Sequence, residues 1–378
     1  MRVVHLLATY NEKENLEAMI EAIDKIGQNL PQHEFLILVA DSNSPDGTGR
    51  IADRLAKKRK DLFYIQTPRG LGISLIRGYS YAMKELKAEV VLPNDVDFQW
   101  NPAYIPELLK KIEAGYDVVV PSRHVAGGSD NFSAFRKLTH WVSNTLFAYY
   151  LAGITQVKDH NGNMKAIRVK GILDRVDLTK LEVRGFVFQM TMIYELAKTG
   201  ASFVEIPARY QDRRAGQTKV GFNLQFFKDI FEYMIHSAKI RLERSRRFLK
   251  FAVVGFVGFL INAIGLETFY GLGLGAGLAA AGGAELAIIS NFTFNNLWTF
   301  AGEKITGIRK ILAKFFQFNL TSLGAIVIQW IVVGLLARFF GDQWRQLYLV
   351  IAIGFFVLPY NYLMYTRVIW RTKQALQK

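Results

Sequence analysis

The chain contains no cysteine. That excludes a disulfide framework, a thiolate nucleophile and a cysteine-ligated metal. It also lacks the Gly-x-x-x-x-Gly-Lys-Ser/Thr loop of the P-loop nucleotide hydrolases, and no Gly-x-Gly-x-x-Gly follows its first apolar run. A dinucleotide-dependent dehydrogenase is therefore not expected. The opening run Met1-Arg2-Val3-Val4-His5-Leu6-Leu7 is too short for a signal sequence and leads into polar Thr9-Tyr10-Asn11-Glu12, so it reads as a first strand. Acidic residues are in deficit: 32 Asp and Glu against 47 Lys and Arg, a net charge of +15 over 378 residues. Such an excess suits nucleic acid, but its placement argues otherwise. Basic residues gather beside apolar segments, at Lys239, Arg241, Arg244, Arg246, Arg247 and Lys250, at Lys304, Arg309, Lys310 and Lys314, and at Arg367, Arg371, Lys373 and Lys378. That is the pattern of a membrane protein with basic loops on the cytoplasmic side, and no nucleic-acid partner is expected.

Residues 1–220 mix charge and apolar residues as a soluble protein does, whereas apolar stretches dominate from Phe248 onward. Four stretches approach the roughly 20 apolar residues a membrane crossing needs, at about 248–271, 274–299, 313–339 and 346–368. The second is rich in Gly and Ala, which permits close helix packing. Glu267 and Glu285 lie in the first two, where a charge is costly; they are either functional or close to segment ends. Basic residues precede the first stretch, separate the second from the third and follow the fourth. Both termini and the N-terminal domain are thus expected in the cytoplasm. Between the halves, 223–247 carries Phe226, Phe227, Ile230, Phe231, Met234 and Ile235 at helical spacing. This amphipathic helix either lies in the membrane interface or packs on the soluble domain.

In residues 1–222, short apolar runs alternate with helical patterns. Strands are expected at 3–8, 35–40, 62–66, 90–92, 118–121 and 203–206, and helices at 15–26, 49–59, 72–86 and 103–115. The alternation implies an α/β fold with a doubly wound, mostly parallel sheet. Ligands of such sheets sit beyond the carboxyl ends of the strands. The polar clusters fall there: Thr9–Glu12, Asp41–Thr48, Arg69–Gly72 and Asp95–Gln99. Asp95 and Asp97, two residues apart at a strand end, point the same way. Two close carboxylates repel unless a cation sits between them, and hard oxygen ligands of this kind suit Mg²⁺ or Mn²⁺ together with substrate phosphates.

These clusters, in this order, with Pro121-Ser122-Arg123, resemble the family 2 glycosyltransferases, and most of all the dolichyl-phosphate mannose synthases. The resemblance continues through Asp159…Lys165-Ala166, Gly185-Phe186-Val187-Phe188-Gln189, Glu205-Ile206-Pro207 and Asp212–Lys219. The C-terminal half resembles a GtrA-like four-helix transmembrane domain, most specifically at Asn291–Phe300. The resemblance implies a GT-A fold and a single inverting transfer of mannose from GDP-mannose to dolichyl or another polyprenyl phosphate. It implies that Tyr10, Glu12, Asp41, Arg69, Gly70, Asp95 and Asp97 contact the nucleotide sugar. Asp95, Asp97 and Gln99 would hold the cation. Arg123, Arg136, Arg213 and Lys219 would grip phosphates, with Asp97, Arg123, Arg213 and Lys219 central to catalysis.

The chain departs from the family pattern at several positions. Ala8 replaces a usual Pro, Ser42 an acidic residue, His140 a Ser and Thr191 a Glu. The run Asp159–Lys165 stands where the family has one ending Ser-Gly-Phe-Arg. These changes bear on the sugar and acceptor pocket and leave the carboxylate pair intact. Two alternatives stay open. One is a polyprenyl-phosphate glucosyltransferase using UDP-glucose. The other is a non-catalytic lipid-sugar flippase or scaffold with a decayed transferase domain. A homo-oligomer formed through the membrane half is also compatible with the sequence.

Overall fold

The computed structural model describes the whole chain except residues 182–186, 212, 216–223, 345–346, 349–350 and 372–378. It divides into two compact units, Met1–Arg241 and Leu242–Lys378.

The first unit is built on a seven-stranded sheet of order β3-β2-β1-β4-β7-β5-β8. Its strands are β1 (Arg2–Thr9), β2 (Glu34–Asp41), β3 (Leu62–Gln66), β4 (Val90–Asn94), β5 (Val118–Ser122), β7 (Ala166–Arg168) and β8 (Phe203–Pro207). Only β7 runs antiparallel to its neighbours. A separate parallel pair joins β6 (Ser129–Asp130) to β9 (Arg209–Tyr210). Both faces of the sheet are covered, so its strands read as nearly continuous apolar runs. Period two still divides β1. Val4, Leu6 and Ala8 enter one core cluster, while Val3 and Leu7 enter the other.

The second of these clusters takes the apolar stripes of α1 (Leu16–Gln28) and α4 (Ile105–Glu113). Leu16, Met19, Ile20 and Ile23 of α1 are buried at helical spacing, each burial contributing about 1.5–3 kcal/mol. The first cluster takes α3 (Leu71–Lys84) and α6 (Val187–Lys198). The remaining helices here are α2 (Thr48–Ala56) and α5 (Ala134–Trp141), which continues as a π-helical stretch, Val142–Leu151.

The helix expected at 223–247 belongs to α7 (Leu224–Gly271), which begins in the first unit and ends in the second. In the first unit, Tyr233, Ser237 and Ile240 of α7 are buried, and Ser237 Oγ donates to Met190 Sδ of α6 at 3.4 Å. Phe231 and Met234, from the apolar stripe read in the sequence, are exposed. The helix therefore packs on the sheet unit through a neighbouring face.

The second unit is helical. It comprises the rest of α7, α8 (Ala276–Phe294), α9 (Ile308–Phe340) and α10 (Leu358–Met364), with π-helical turns at Asn295–Thr299, Ala352–Val357 and Tyr365–Ile369. Among the described residues, two helices, Lys228–Gly271 and Ile308–Phe340, are long and apolar enough to cross a bilayer. Large apolar side chains point outward, among them Phe259, Ile264, Phe316, Trp330 and Phe355. In water such a surface is unfavourable; in lipid it is the expected one. Glycines bring α7 and α8 together: a Cβ on Gly265 would sit 2.9 Å from Gly283 Cα. Glu267 and Glu285 are both exposed, and Glu267 lies four residues before the end of α7.

Candidate active site

The strand order turns around between β1 and β4, the switch point at which an open α/β sheet leaves a crevice. Register levels the strand ends there. Thr9 of β1 pairs with Asp41 of β2, and Leu7 of β1 with Asn94 of β4. The residues that follow, Tyr10–Glu12 and Asp95–Gln99, emerge side by side into a cavity of about 620 Å³. Its walls include ten of the residues singled out in the sequence: Tyr10, Glu12, Arg69, Gly70, Asp95, Asp97, Gln99, Arg123, Arg136 and Arg213.

Two expected residues stand apart. Asp41 is buried behind the wall, its oxygens taken by Thr9 Oγ1 at 2.9 Å, by Ser44 N at 2.8 Å and by the Ser44 hydroxyl. It shapes the β2 turn and is not among the residues that line the cavity. Lys219 lies outside the described residues.

The carboxylate pair is tied by short contacts. Asp97 Oδ1 accepts from the Gln99 amide at 3.0 Å across a turn in which Phe98 has φ +64°. Asp97 Oδ2 meets an Arg213 guanidinium nitrogen at 2.7 Å, and the same arginine reaches Glu12 Oε1 at 3.1 Å. Asp95 Oδ1 accepts from Asn163 Nδ2 at 3.0 Å. Burial first, and the neighbouring Asp97 second, push Asp95 up to about 7. Holding both carboxylates charged at neutral pH therefore takes added positive charge, which Arg213 supplies only in part.

The donor set fits a divalent cation. Both carboxylates line the cavity, and Asp95 Oδ2 has no hydrogen bond among the described residues. No group of three His, Cys, Asp or Glu gathers among the described residues. Asp95 and Asp97 would thus leave coordination positions for phosphate oxygens, as Mg²⁺-type sites do.

The arginines divide by environment. Arg123 is buried and locked to Asp159, Nε to Oδ2 at 2.7 Å and a terminal nitrogen to Oδ1 at 2.6 Å. It lies 5.0–5.6 Å from the ring centres of Tyr210, Trp100 and Phe132. Burial alone would raise Asp159, but the Arg123 guanidinium wins and holds it well below the usual carboxylate range. Arg136 stacks on Phe132 at 4.0 Å, with His140 on the same ring. Arg69 stacks on Tyr10 at 4.8 Å. The wall that α5 and its π-helical continuation contribute is apolar at Phe135, Val142 and Phe147.

Sequence reasoning assigned no role to Asn161, Asn163, Gln189 or Tyr233, all of which line the cavity. Tyr233 OH donates to Asn161 Oδ1 at 2.9 Å. Gln189 had a signal, since it closes the Gly185–Gln189 stretch. Lys165, behind them, is fully buried; burial pulls it down to about 7.

Residues 6–174 match glycosyl transferase family 2, and residues 250–370 match the GtrA/DPMS transmembrane domain. The chain is 31% identical over 380 residues to the dolichol-phosphate mannosyltransferase of Pyrococcus furiosus, covering 98% of this chain and 100% of that protein. It is 28% identical to the polyprenol monophosphomannose synthase of Mycolicibacterium smegmatis, covering 65% of this chain and 90% of that one. The undecaprenyl-phosphate mannosyltransferase of Micrococcus luteus is 30% identical, with 58% and 88% covered. Among solved structures, glucosyl-3-phosphoglycerate synthase from Mycobacterium tuberculosis matches at a TM-score of 0.46 and 16% identity, with 64% and 78% covered. The chain belongs to the dolichol-phosphate mannosyltransferase family: it is a family 2 glycosyltransferase followed by a GtrA/DPMS transmembrane domain.

Proposed function

We propose that the protein transfers mannose from GDP-mannose to the phosphate of dolichol or another polyprenol at the cytoplasmic face of a membrane. The observation that carries this is one cavity holding Asp95, Asp97, Glu12 and Arg213 at the sheet's switch point, with an apolar wall at Phe135, Val142 and Phe147. The carboxylates and arginine suit a nucleoside diphosphate, and the apolar wall suits an isoprenoid. Mannose and the lipid phosphate are supported by the names of the relatives, one of them alike over its whole length. Guanosine as the base is what the resemblance of the chain as a whole to dolichyl-phosphate mannose synthases implies; the Asp95–Gln99 stretch does not choose a base.

The chemistry is a single displacement. A lipid phosphate has a second pKa near ~6 and is an anion at neutral pH, so it attacks the anomeric carbon without a strong general base. The new bond joins that carbon to a lipid phosphate oxygen. The bond to the nucleoside diphosphate oxygen breaks, and configuration inverts. A divalent cation, Mg²⁺ or Mn²⁺, held by Asp95, Asp97 and Gln99 would neutralise charge on the departing diphosphate. Arg213, which meets Asp97 and Glu12, would bring its positive charge to the diphosphate oxygens in this reading. Arg136, stacked on Phe132 beside the apolar wall, would meet the acceptor phosphate in this reading. Lys219 would add a further cation, and Arg69 with Tyr10 would flank the nucleoside.

In this reading the second unit crosses the membrane four times with both termini in the cytoplasm, and the exposed face of α7 near Phe231 and Met234 meets the membrane interface. The test is Asp97→Ala: transfer should be abolished while the protein stays folded. Undiminished transfer would sink the cation site.

A further inference from the structure

Asp95 is held from behind by a line of side chains that leads away from the carboxylate pair. Asn163 Nδ2 donates to Asp95 Oδ1 at 3.0 Å. Asn163 Oδ1 accepts from Gln189 Nε2 at 2.9 Å. Gln189 Oε1 accepts from Lys165 Nζ at 2.6 Å. Lys165 spends its other two donors on the carbonyls of Gly162 at 2.8 Å and Asn163 at 3.0 Å. All four residues are buried or nearly so.

The direction of this line is not arbitrary. An amide can stand either way round, and which way is set by its partners. Protonated, Lys165 has three donors and no acceptor, and Gln189 then turns its oxygen to it, as the 2.6 Å contact shows. Its nitrogen then faces Asn163, which must turn its own oxygen to Gln189. The nitrogen of Asn163 is left facing Asp95. Reversing either amide sets donor against donor at Lys165 or oxygen against carboxylate at Asp95.

We propose that Lys165 is a positioning residue for the carboxylate pair: through Gln189 and Asn163 it fixes a donor on Asp95 Oδ1 and reserves Oδ2 for a divalent cation. Lys165 and Asn163 both belong to the Asp159–Lys165 run, so this run supplies the support behind Asp95. The proposal rests on the reading of Asp95 and Asp97 as cation ligands, and the test separates the two.

Mn²⁺ binding to the full chain in detergent, without donor or acceptor, is followed by the electron paramagnetic resonance of free Mn²⁺, beside the melting temperature. Gln189→Glu is the informative variant. Its carboxylate still accepts from Lys165 but cannot donate to Asn163, so the line loses direction while the lysine keeps a partner. Outer partners of metal ligands typically matter about 10–100-fold in affinity. Mn²⁺ binding is expected to weaken about tenfold in Gln189→Glu with the melting temperature kept. Lys165→Met is expected to weaken it similarly, and Lys165→Arg to restore part of it. Wild-type Mn²⁺ affinity in Gln189→Glu would overturn the positioning role. Asp97→Asn reports on the underlying reading: if it binds Mn²⁺ as wild type does, the carboxylate pair is not the cation site and the proposal falls with it.

Discussion

Replacing Arg123 by leucine leaves Asp159 a fully buried carboxylate whose bidentate partner is gone. Arg123 Nε and a terminal nitrogen sit 2.7 and 2.6 Å from the two Asp159 oxygens, and the Arg123 backbone amide adds a third donor at 3.2 Å. Breaking a buried ion pair by removing one partner costs about 3–5 kcal/mol, chiefly the penalty of the charge left behind. A domain of this size loses about 2–4 °C of melting temperature per kcal/mol, so the loss should fall at about 6–20 °C. The double variant Arg123→Leu/Asp159→Leu removes both charges and should recover most of it. Differential scanning of the full chain in detergent, beside a transfer assay, reads both effects. An Arg123→Leu protein that melts within about 2 °C of wild type yet has lost transfer would refute this reasoning. It would show that Arg123 serves the substrate phosphates first, as its place in the sequence suggested.

The same pair sets an acid limb. The folded-state pKa of Asp159 is depressed below its unfolded value of about 3.9, so between the two the unfolded chain binds more protons. Its stabilisation is complete above that value and is lost as pH falls through the folded one. Acid-induced unfolding of Asp159→Asn should therefore be flatter below about pH 4 than that of wild type. Arg136→Ala should raise the KM for polyprenyl phosphate about tenfold or more, equivalent to about 1.4 kcal/mol, and leave nucleotide affinity unchanged; a change confined to the nucleotide would move Arg136 to the donor side. Gly283→Leu should separate α7 from α8, since a Cβ there would lie 2.6 Å from the Asn262 carbonyl oxygen. A loss of detergent-resistant folding is expected, and a wild-type melting profile would contradict the close crossing.

The sheet was legible because its strands are apolar runs that end in polar clusters. Each expected strand is present, and β3 at Leu62–Gln66 has the expected bounds. The carboxylate pair was legible because period two and a strand end put Asp95 and Asp97 on one side. Strand β7 was not, since three residues, Ala166–Arg168, carry no readable period. Nor was the commitment of Arg123 to a residue 36 positions away, because an arginine's type does not reveal its partner. Lys165 carried no assigned role in the sequence, and three acceptors folded around it explain its burial. Which face of α7 packs on the sheet unit was left open by the sequence: the stripe through Phe231 and Met234 is the more apolar one, while Tyr233, Ser237 and Ile240 are the residues that are buried.

The most direct measurement is transfer itself. The purified full chain would be incubated with Mn²⁺, dolichyl phosphate and labelled nucleotide sugars, including GDP-mannose and UDP-glucose, and label counted in the lipid phase. Label from GDP-mannose, lost in Asp97→Ala, is the expected result. Label from no donor, with nucleotide binding intact, would contradict catalysis and leave a lipid-handling protein with a decayed transferase site.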